Sequence, residues 1–278
     1  STQITNEYGL KYLTNAIGLS MPMDQIDSSH ILLYIRYLER NRLSDTSINI
    51  HLRTVKTMMR YYSRLDKLKK TPIIQQLKVP KKDPIYITEE ELKGILKLNW
   101  LDDLYKELFV FYRDTGMRLR EPFMAILEGN WLDIPTESKS HSERHIRLND
   151  EQIATFLKLK GWFEDGYGKK LKDPGNHISR RFKKALRNIK ASEDKRFHSL
   201  RHTFAVRSLL KGISIYDVKL AMGHASVTTT EKYSNMNLMR VAHDFPSLVE
   251  APKNKKRDIE MRDKQVSPSM FMQNRLLN

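Results

Sequence analysis

The stretch Met222–Ser234, MGHASVTTTEKYS, sets an imidazole, His224, nine residues ahead of a phenol, Tyr233. A phenol of ordinary pKa, about 10, is a weak nucleophile at neutral pH. One that attacks phosphorus therefore needs fixed cations to stabilise its own anion and the transition state. Arginine suits that task, because its planar fork holds two non-bridging phosphate oxygens and does not lose its charge. Two arginines stand in fitting places. HSLRH puts His198 and Arg201 one helical turn apart, on one face, and DTGMRLREP puts Arg118 just after a glycine-marked helix end. Each of these taken alone reads as an ordinary surface or core residue; the conjunction is what carries information.

The elements that must position these residues are mostly helical. SSHILLYIRYLERNRLS repeats apolar residues at helical spacing, and the segment starting at Ser44 and Asp45 opens with cap-type residues. On that second helix Val55, Met58, Met59 and Tyr62 share one face, while Lys56, Arg60, Arg64 and Lys67 form a basic stripe with no acid before Asp66. The stripe reads as a phosphate-tracking surface, with a merely solvated face as the alternative. KVPKKDPIYITEEEL, Lys78–Leu92, interrupts the helical pattern with two prolines, and Thr88 followed by three glutamates has the form of a helix N-cap with an acidic first turn. This is an interdomain linker. Further on, WLDIP and RHIRL are β-tending segments joined by a polar stretch, which predicts a small antiparallel hairpin. Residues from Asp194 to Ser234 read as helix, stop at Gly212, short helix, stop at Gly223, and a third helical turn capped by Ser226 or a threonine.

Composition bounds the rest. The 278 residues, 40% hydrophobic, suffice for two modest domains, and the formal charge of +16 suits a partner rich in phosphate. Residues 1–86 hold 14 Lys/Arg against 7 Asp/Glu, and residues 252–278 hold 7 against 3, so the excess is concentrated at the two ends. With no cysteine, disulfides, thiolate nucleophiles and cysteine-ligated zinc are excluded. Without a membrane-length apolar run or a leader-like start, the expected setting is the cytoplasm, with no membrane partner. The sequence shows no Walker-type loop and no carboxylate cluster arranged for Mg²⁺, so no cofactor is expected.

In chain order the sequence offers TGxRxxE at Thr115–Glu121, a lysine at Lys139 in the hairpin connection, HxLRHTFA at His198–Ala205 and GHxSxxTTxxY at Gly223–Tyr233. Together these resemble the tyrosine recombinase (phage integrase) family over about residues 87–245. The basic helical segment before the linker resembles the family's core-binding domain by pattern rather than by motif. The resemblance implies a mainly α protein: a helical, SAM-like core-binding DNA domain over residues 1–80, a linker at 81–87, a mixed but mostly helical catalytic domain with a small antiparallel sheet at 88–250, and a basic tail at 251–278 that is loose without a partner.

It further implies that Arg118 and Arg201 grip the scissile phosphate, that His198 assists proton transfer at the tyrosine, and that His224 hydrogen-bonds the phosphate or the nucleophile. Tyr233 becomes the nucleophile and Lys139 the general acid for the departing 5′ oxygen. Glu121 braces Arg118, while His202, Thr203 and Phe204 are expected to pack and position. Pro122 and Arg147 depart from the family's pattern and bear on the geometry around the hairpin. Implied partners are double-stranded DNA with an inverted-repeat core site, three further copies of the chain in a tetramer on two duplexes, and accessory or directionality proteins. The segment after Tyr233, with Leu238, Val241, Ala242 and Phe245 on an apolar face, is expected to dock on a neighbouring protomer. As the chain begins with the core-binding domain, it resembles the compact Xer-like, transposon and simple phage enzymes. Integration or excision of a mobile element is the first biological reading and Xer-like resolution of replicon dimers the second. The competing classes are a supercoil relaxase like the type IB topoisomerases, a catalytically silent architectural DNA-binding protein, and a regulator reading DNA with a helix-turn-helix between Leu200 and Met222.

Overall fold

The computed structural model describes residues 2–68, 70–80, 82–135, 144–224, 228–234 and 236–248. The chain divides into two compact units between Lys82 and Asp83. Among the described residues no helix is long and apolar enough to cross a membrane.

In the first unit, α1 (Thr2–Ile17), α2 (Ser28–Arg40) and α3 (Asp45–Arg64) pack on one another. Asp27 caps α2 by accepting from the Ser29 and His30 amides, and Ser44 caps α3 by accepting from Ser47. The apolar faces of α2 and α3 meet through Tyr34, Leu38, Ile48, Leu52, Val55 and Met59, all at most 1% exposed. Tyr34 is buried without cost to its hydroxyl, which donates to the Gly9 carbonyl at 2.8 Å. Asn49 exchanges two hydrogen bonds with the backbone of Leu77, tying the segment after α3 back onto the bundle.

The basic stripe is less uniform than its spacing suggests. Arg60 and Arg64 are exposed on α3, but Lys56 is partly buried and its ammonium donates to the Ile74 carbonyl at 3.3 Å. Lys67 lies beyond the helix, which ends at Arg64 in a turn with Asp66 at φ 53°. The periodicity that placed it in line with Arg64 therefore does not extend to it.

In the second unit, α4 (Glu89–Leu96) starts at Thr88, whose side chain and that of Glu91 form a reciprocal capping box. α5 (Asp103–Thr115) is the central helix: Leu108, Phe109, Phe111 and Tyr112 are at most 2% exposed, and it packs against α6 (Asp150–Glu164), α7 (Pro174–Asn188) and α8 (His198–Leu210). A three-stranded antiparallel sheet, β1 (Ile126–Glu128), β2 (Trp131–Ile134) and β3 (Arg144–Arg147), flanks this core. β2 and β3 are the two sequence-predicted strands, paired Trp131 to Arg147 through Ile134 to Arg144. β1 is additional, joined to β2 by a tight hairpin in which Gly129 adopts φ 60°.

The helices α9 (Ile215–Met222), α10 (Thr228–Ser234) and α11 (Leu238–Ala242) complete the unit. Ala205, Val206, Val218, Met222, Tyr233, Val241 and Phe245 form a second apolar cluster there. Val241 and Phe245, expected on a face for a neighbouring protomer, are 4% and 1% exposed and pack within their own chain. The same segment is fastened by Tyr86, whose hydroxyl donates to Asp244 Oδ2 at 2.6 Å, and by the Glu89 amide, which donates to the Asp244 carbonyl. Leu238 and Met239 remain exposed on α11. Tyr86 and Ile87, the end of the sequence-predicted linker, belong to this unit: Ile87 is 1% exposed and its amide donates to Thr203 Oγ1 at 2.8 Å.

Candidate active site

Two helix C-termini build the cationic centre. α5 ends at Gly116, with φ 63°, and α9 ends at Gly223, with φ 60°, conformations that L side chains rarely adopt. Their orphan carbonyls point at arginines. Arg201, on α8 and 2% exposed, donates from Nη1 to the Gly116 carbonyl at 2.5 Å and from Nη2 to the Met222 carbonyl. Arg118 donates to the Gly223 carbonyl at 3.1 Å, and Arg144 to that of Ala221 at 3.1 Å. Three successive carbonyls of one helix end thus hold three guanidinium groups, and the negative end of the helix dipole favours all three. Gly116 is doubly constrained, since a Cβ there would lie 2.5 Å from Cδ1 of Phe204.

Among the described residues Glu121 supplies the one carboxylate of this cluster. Its Oε1 accepts from Arg118 Nη1 at 2.6 Å, and its Oε2 from the Arg118 amide at 2.6 Å and Arg144 Nη2 at 2.5 Å. It sits at the start of a 3-10 turn, Glu121–Phe123, in which Pro122 occupies an early helical position where a missing amide is harmless. Bracing of Arg118 was legible in the sequence. The role of Arg144 was not: it is the N-terminal residue of β3, and only tertiary packing sets it against both Glu121 and the end of α9.

Among the described residues one carboxylate stands among three arginines, a net positive set. Burial, then Arg118 and Arg144, push Arg201 down to about 9, and burial, with Arg118, pushes Arg144 down to about 10. Both stay protonated at neutral pH. The Nε atoms of Arg201 and Arg144 are buried without a hydrogen-bond partner. Such a cluster has unmet capacity for an anion.

Around it stand the imidazoles and the phenol. His224 follows Gly223 directly and its Nδ1 lies 2.9 Å from Oγ1 of the fully buried Thr230. Burial first, then Arg201, Arg118, Lys232 and Arg144, push it down to about 3. His198, at the first turn of α8, has an edge open to solvent, yet burial of the rest of its ring, then Arg201, Lys232 and Arg118, push it down to about 4. The exposed edge makes it the weakest of the three as a pH-dependent element. His202, one turn on, meets His198 edge to face at 4.8 Å between ring centres.

Tyr233, on α10, is fully buried. Its hydroxyl lies 2.6 Å from Nδ1 of His202, so in this structure the imidazole in contact with the phenol is that of His202, with His198 behind it. Burial pushes the Tyr233 hydroxyl up, partly opposed by Arg201. Lys232 places Nζ 5.1 Å above the Tyr233 ring and is itself pushed down by burial and by Arg201. His202 is four residues from His198 and on the same helical face, a spacing already present in the sequence. Arg118, His198, Arg201, His224 and Tyr233 are brought to one site; Lys139 and Ser226 lie outside the described residues.

Comparison with known proteins places this fold. The Tn1549 transposon integrase in complex with transposon right end DNA has a TM-score of 0.66 and 18% identity, covering 95% of this chain and 93% of that one. A lambda integrase dimer bound to a core site has a TM-score of 0.68 and 18% identity, covering 84% and 88%. The tyrosine recombinase XerC of Lacticaseibacillus casei (strain BL23) is 23% identical over 247 residues, 79% of this chain and 82% of its own length. XerC of Pelobacter propionicus is 26% identical over 255 residues, 83% and 82% of the two chains. The class so defined is a tyrosine recombinase, an enzyme of site-specific DNA recombination that cleaves and rejoins DNA. The phage integrase family pattern matches residues 86–239, more than half of the chain, which therefore belongs to that family.

Proposed function

We propose that Tyr233 attacks a DNA phosphodiester to give a 3′-phosphotyrosyl bond and a free 5′ hydroxyl; a 5′ hydroxyl of the partner strand then attacks that phosphorus, forming a new phosphodiester and releasing Tyr233. The observation that carries this reading is the convergence of a buried phenol, three imidazoles and two of the three carbonyl-held arginines on one net-positive site. Arg118 and Arg201 hold the non-bridging oxygens and stabilise the extra charge of the pentacoordinate transition state. His224, fixed by Thr230, and His198 line the same site, one to contact the phosphate and one to assist proton movement. Lys139 protonates the departing 5′ oxygen; an ammonium among arginines has its pKa lowered toward that task. The bond energy is kept in the phosphotyrosyl linkage, so neither nucleotide nor metal is required.

Arg60 and Arg64, with smaller parts for Lys56 and Lys67, contact phosphates from the first unit, and the substrate is a duplex with an inverted-repeat core site. Four protomers act on two duplexes, with accessory or directionality proteins choosing the outcome, in the cytoplasm of a bacterial host. Integration or excision of a mobile element is the first biological role. The XerC relatives favour a second one, resolution of replicon dimers. A dimeric plasmid carrying two candidate sites separates them, since resolution to monomers without added directionality factor supports the second.

The chemistry itself is tested by covalent trapping. The protein and its Tyr233→Phe variant are incubated with nicked suicide duplexes without added metal. A denaturant-resistant adduct with the parent alone, mapped to a 3′ phosphate, is the expected result. Tight binding with no adduct on any efficiently bound site would instead support an architectural protein, and relaxation of supercoils without product exchange a topoisomerase.

A further inference from the structure

We propose that His202 is the group that takes the Tyr233 proton when DNA is cleaved and returns it when the strand is rejoined. The proposal rests on the reading of Tyr233 as the nucleophile and adds a chemical role where the family resemblance implied only packing.

Geometry comes first. A phenol cannot form its bond to phosphorus and keep its proton, so an acceptor must be in contact with it. Tyr233 is fully buried, which keeps bulk water from that role, and Nδ1 of His202 is 2.6 Å from its oxygen. That distance lies within the range for efficient general-base transfer. His198, the expected participant in proton transfer, touches the His202 ring edge to face, so it backs the acceptor in this structure.

The charge around the pair makes the transfer depend on substrate. His202 faces Lys232 from α10, His198 and Arg201 from its own helix, and His224 after α9. Burial and these groups hold it down at about 3, while burial holds the Tyr233 hydroxyl up. At rest both partners are neutral and the nucleophile is not ionised. A phosphodiester entering between Arg118 and Arg201 brings a negative charge that offsets those cations, which raises the basicity of His202. Proton acceptance is thereby coupled to an occupied site, and an empty enzyme keeps a protonated, unreactive phenol.

The step balances. The O–H bond of Tyr233 breaks and its proton passes to Nδ1 of His202, while the phenolic oxygen bonds to phosphorus and the bond from phosphorus to the 5′ oxygen breaks. That oxygen takes a proton from the Lys139 ammonium. In rejoining, the incoming 5′ hydroxyl gives its proton to the Lys139 amine, and the His202 imidazolium protonates the departing Tyr233 oxygen.

The test is single-turnover adduct formation on a nicked suicide duplex by the full chain from pH 5.5 to 9, comparing the parent with His202→Asn and His202→Phe. Asparagine keeps a neutral polar group near the Nδ1 position; phenylalanine keeps ring volume. The parent rate is expected to vary little with pH across this range. Both variants are expected to bind the duplex as the parent does and to react about 10²- to 10⁴-fold more slowly at pH 7. A 5′-bridging phosphorothiolate, whose thiolate departs without protonation, restores a Lys139→Ala variant and leaves the His202 variants slow. Adduct formation by His202→Asn within threefold of the parent, with the parent's pH dependence, overturns the proposal. Absence of adduct with the parent itself overturns the reading of Tyr233, and the proposal with it. Should His202→Phe not fold, the asparagine variant alone decides.

Discussion

Replacing Glu121 by Gln removes the single carboxylate that joins Arg118 and Arg144. The side chain is 4% exposed, that of Arg144 6% and that of Arg118 25%, so two of the three charged groups have no access to bulk water. Glutamine keeps one acceptor oxygen for three donors, turns its amide toward a guanidinium group and carries no charge. Removing one partner of a buried ion pair destabilises by about 3 to 5 kcal/mol, because the remaining charge is left without compensation. In a domain of this size each kcal/mol lowers the midpoint by about 2–4 °C, so the catalytic unit's transition is expected to fall by about 10 °C. Differential scanning calorimetry of the full chain measures it. A second variant checks the cause: Arg144→Met added to Glu121→Gln leaves Arg118 as the only former partner of Glu121 still charged, and that group can hydrate. The double variant is expected to regain more than half of the loss. A midpoint within 2 °C of the parent for Glu121→Gln, or simple additivity in the double variant, would refute the buried-charge argument.

Other consequences are as direct. Gly116→Ala forces a left-handed residue and a Cβ into Phe204, and should lower stability by about 2 kcal/mol in urea denaturation while slowing adduct formation through the displaced Arg201 carbonyl contact. His202 and His224 are held below the ordinary histidine value, so the stability they contribute is complete above about pH 6.5 and is lost as pH falls toward their folded values. Unfolding free energy should therefore drop below pH 6.5, by at most about 1.4 kcal/mol per pH unit for each of the two, and substituting both by Asn should flatten that part of the profile. Phe245→Ala empties a site that is 1% exposed and in the cluster holding Tyr233; a loss of about 3–5 kcal/mol is expected by chemical denaturation. On the first unit, Arg60→Ala and Arg64→Ala should each reduce the slope of log affinity against log salt by about 0.9 in anisotropy titrations, with a smaller change for Lys56→Ala because its ammonium is engaged by Ile74.

What the sequence by itself determined here is local or pattern-borne. Helix starts at Ser44 and Thr88, helix ends at Gly116 and Gly223 and the β2–β3 pair follow from cap chemistry, glycine's freedom at positive φ and alternation, all of which act within a few residues. The residue types at Arg118, His198, Arg201, His224 and Tyr233, in that order, carried the family and the chemistry before any fold was drawn. Tertiary structure alone decided which of these groups touch. The carbonyls of Ala221, Met222 and Gly223 receive arginines that are 77, 21 and 105 residues away in the chain, and no local rule anticipates such contacts. β1 escaped because a strand of three residues has too little pattern to read. The face of Val241 and Phe245 was visible as apolar, but whether it covers a neighbour or its own domain depends on the void left beside Tyr233 and Tyr86. His202 makes the same point: periodicity put it on the face of His198, and the docking of α10 against α8 set its nitrogen on the Tyr233 oxygen, because burial of an apolar ring fixes where its polar end must find a partner.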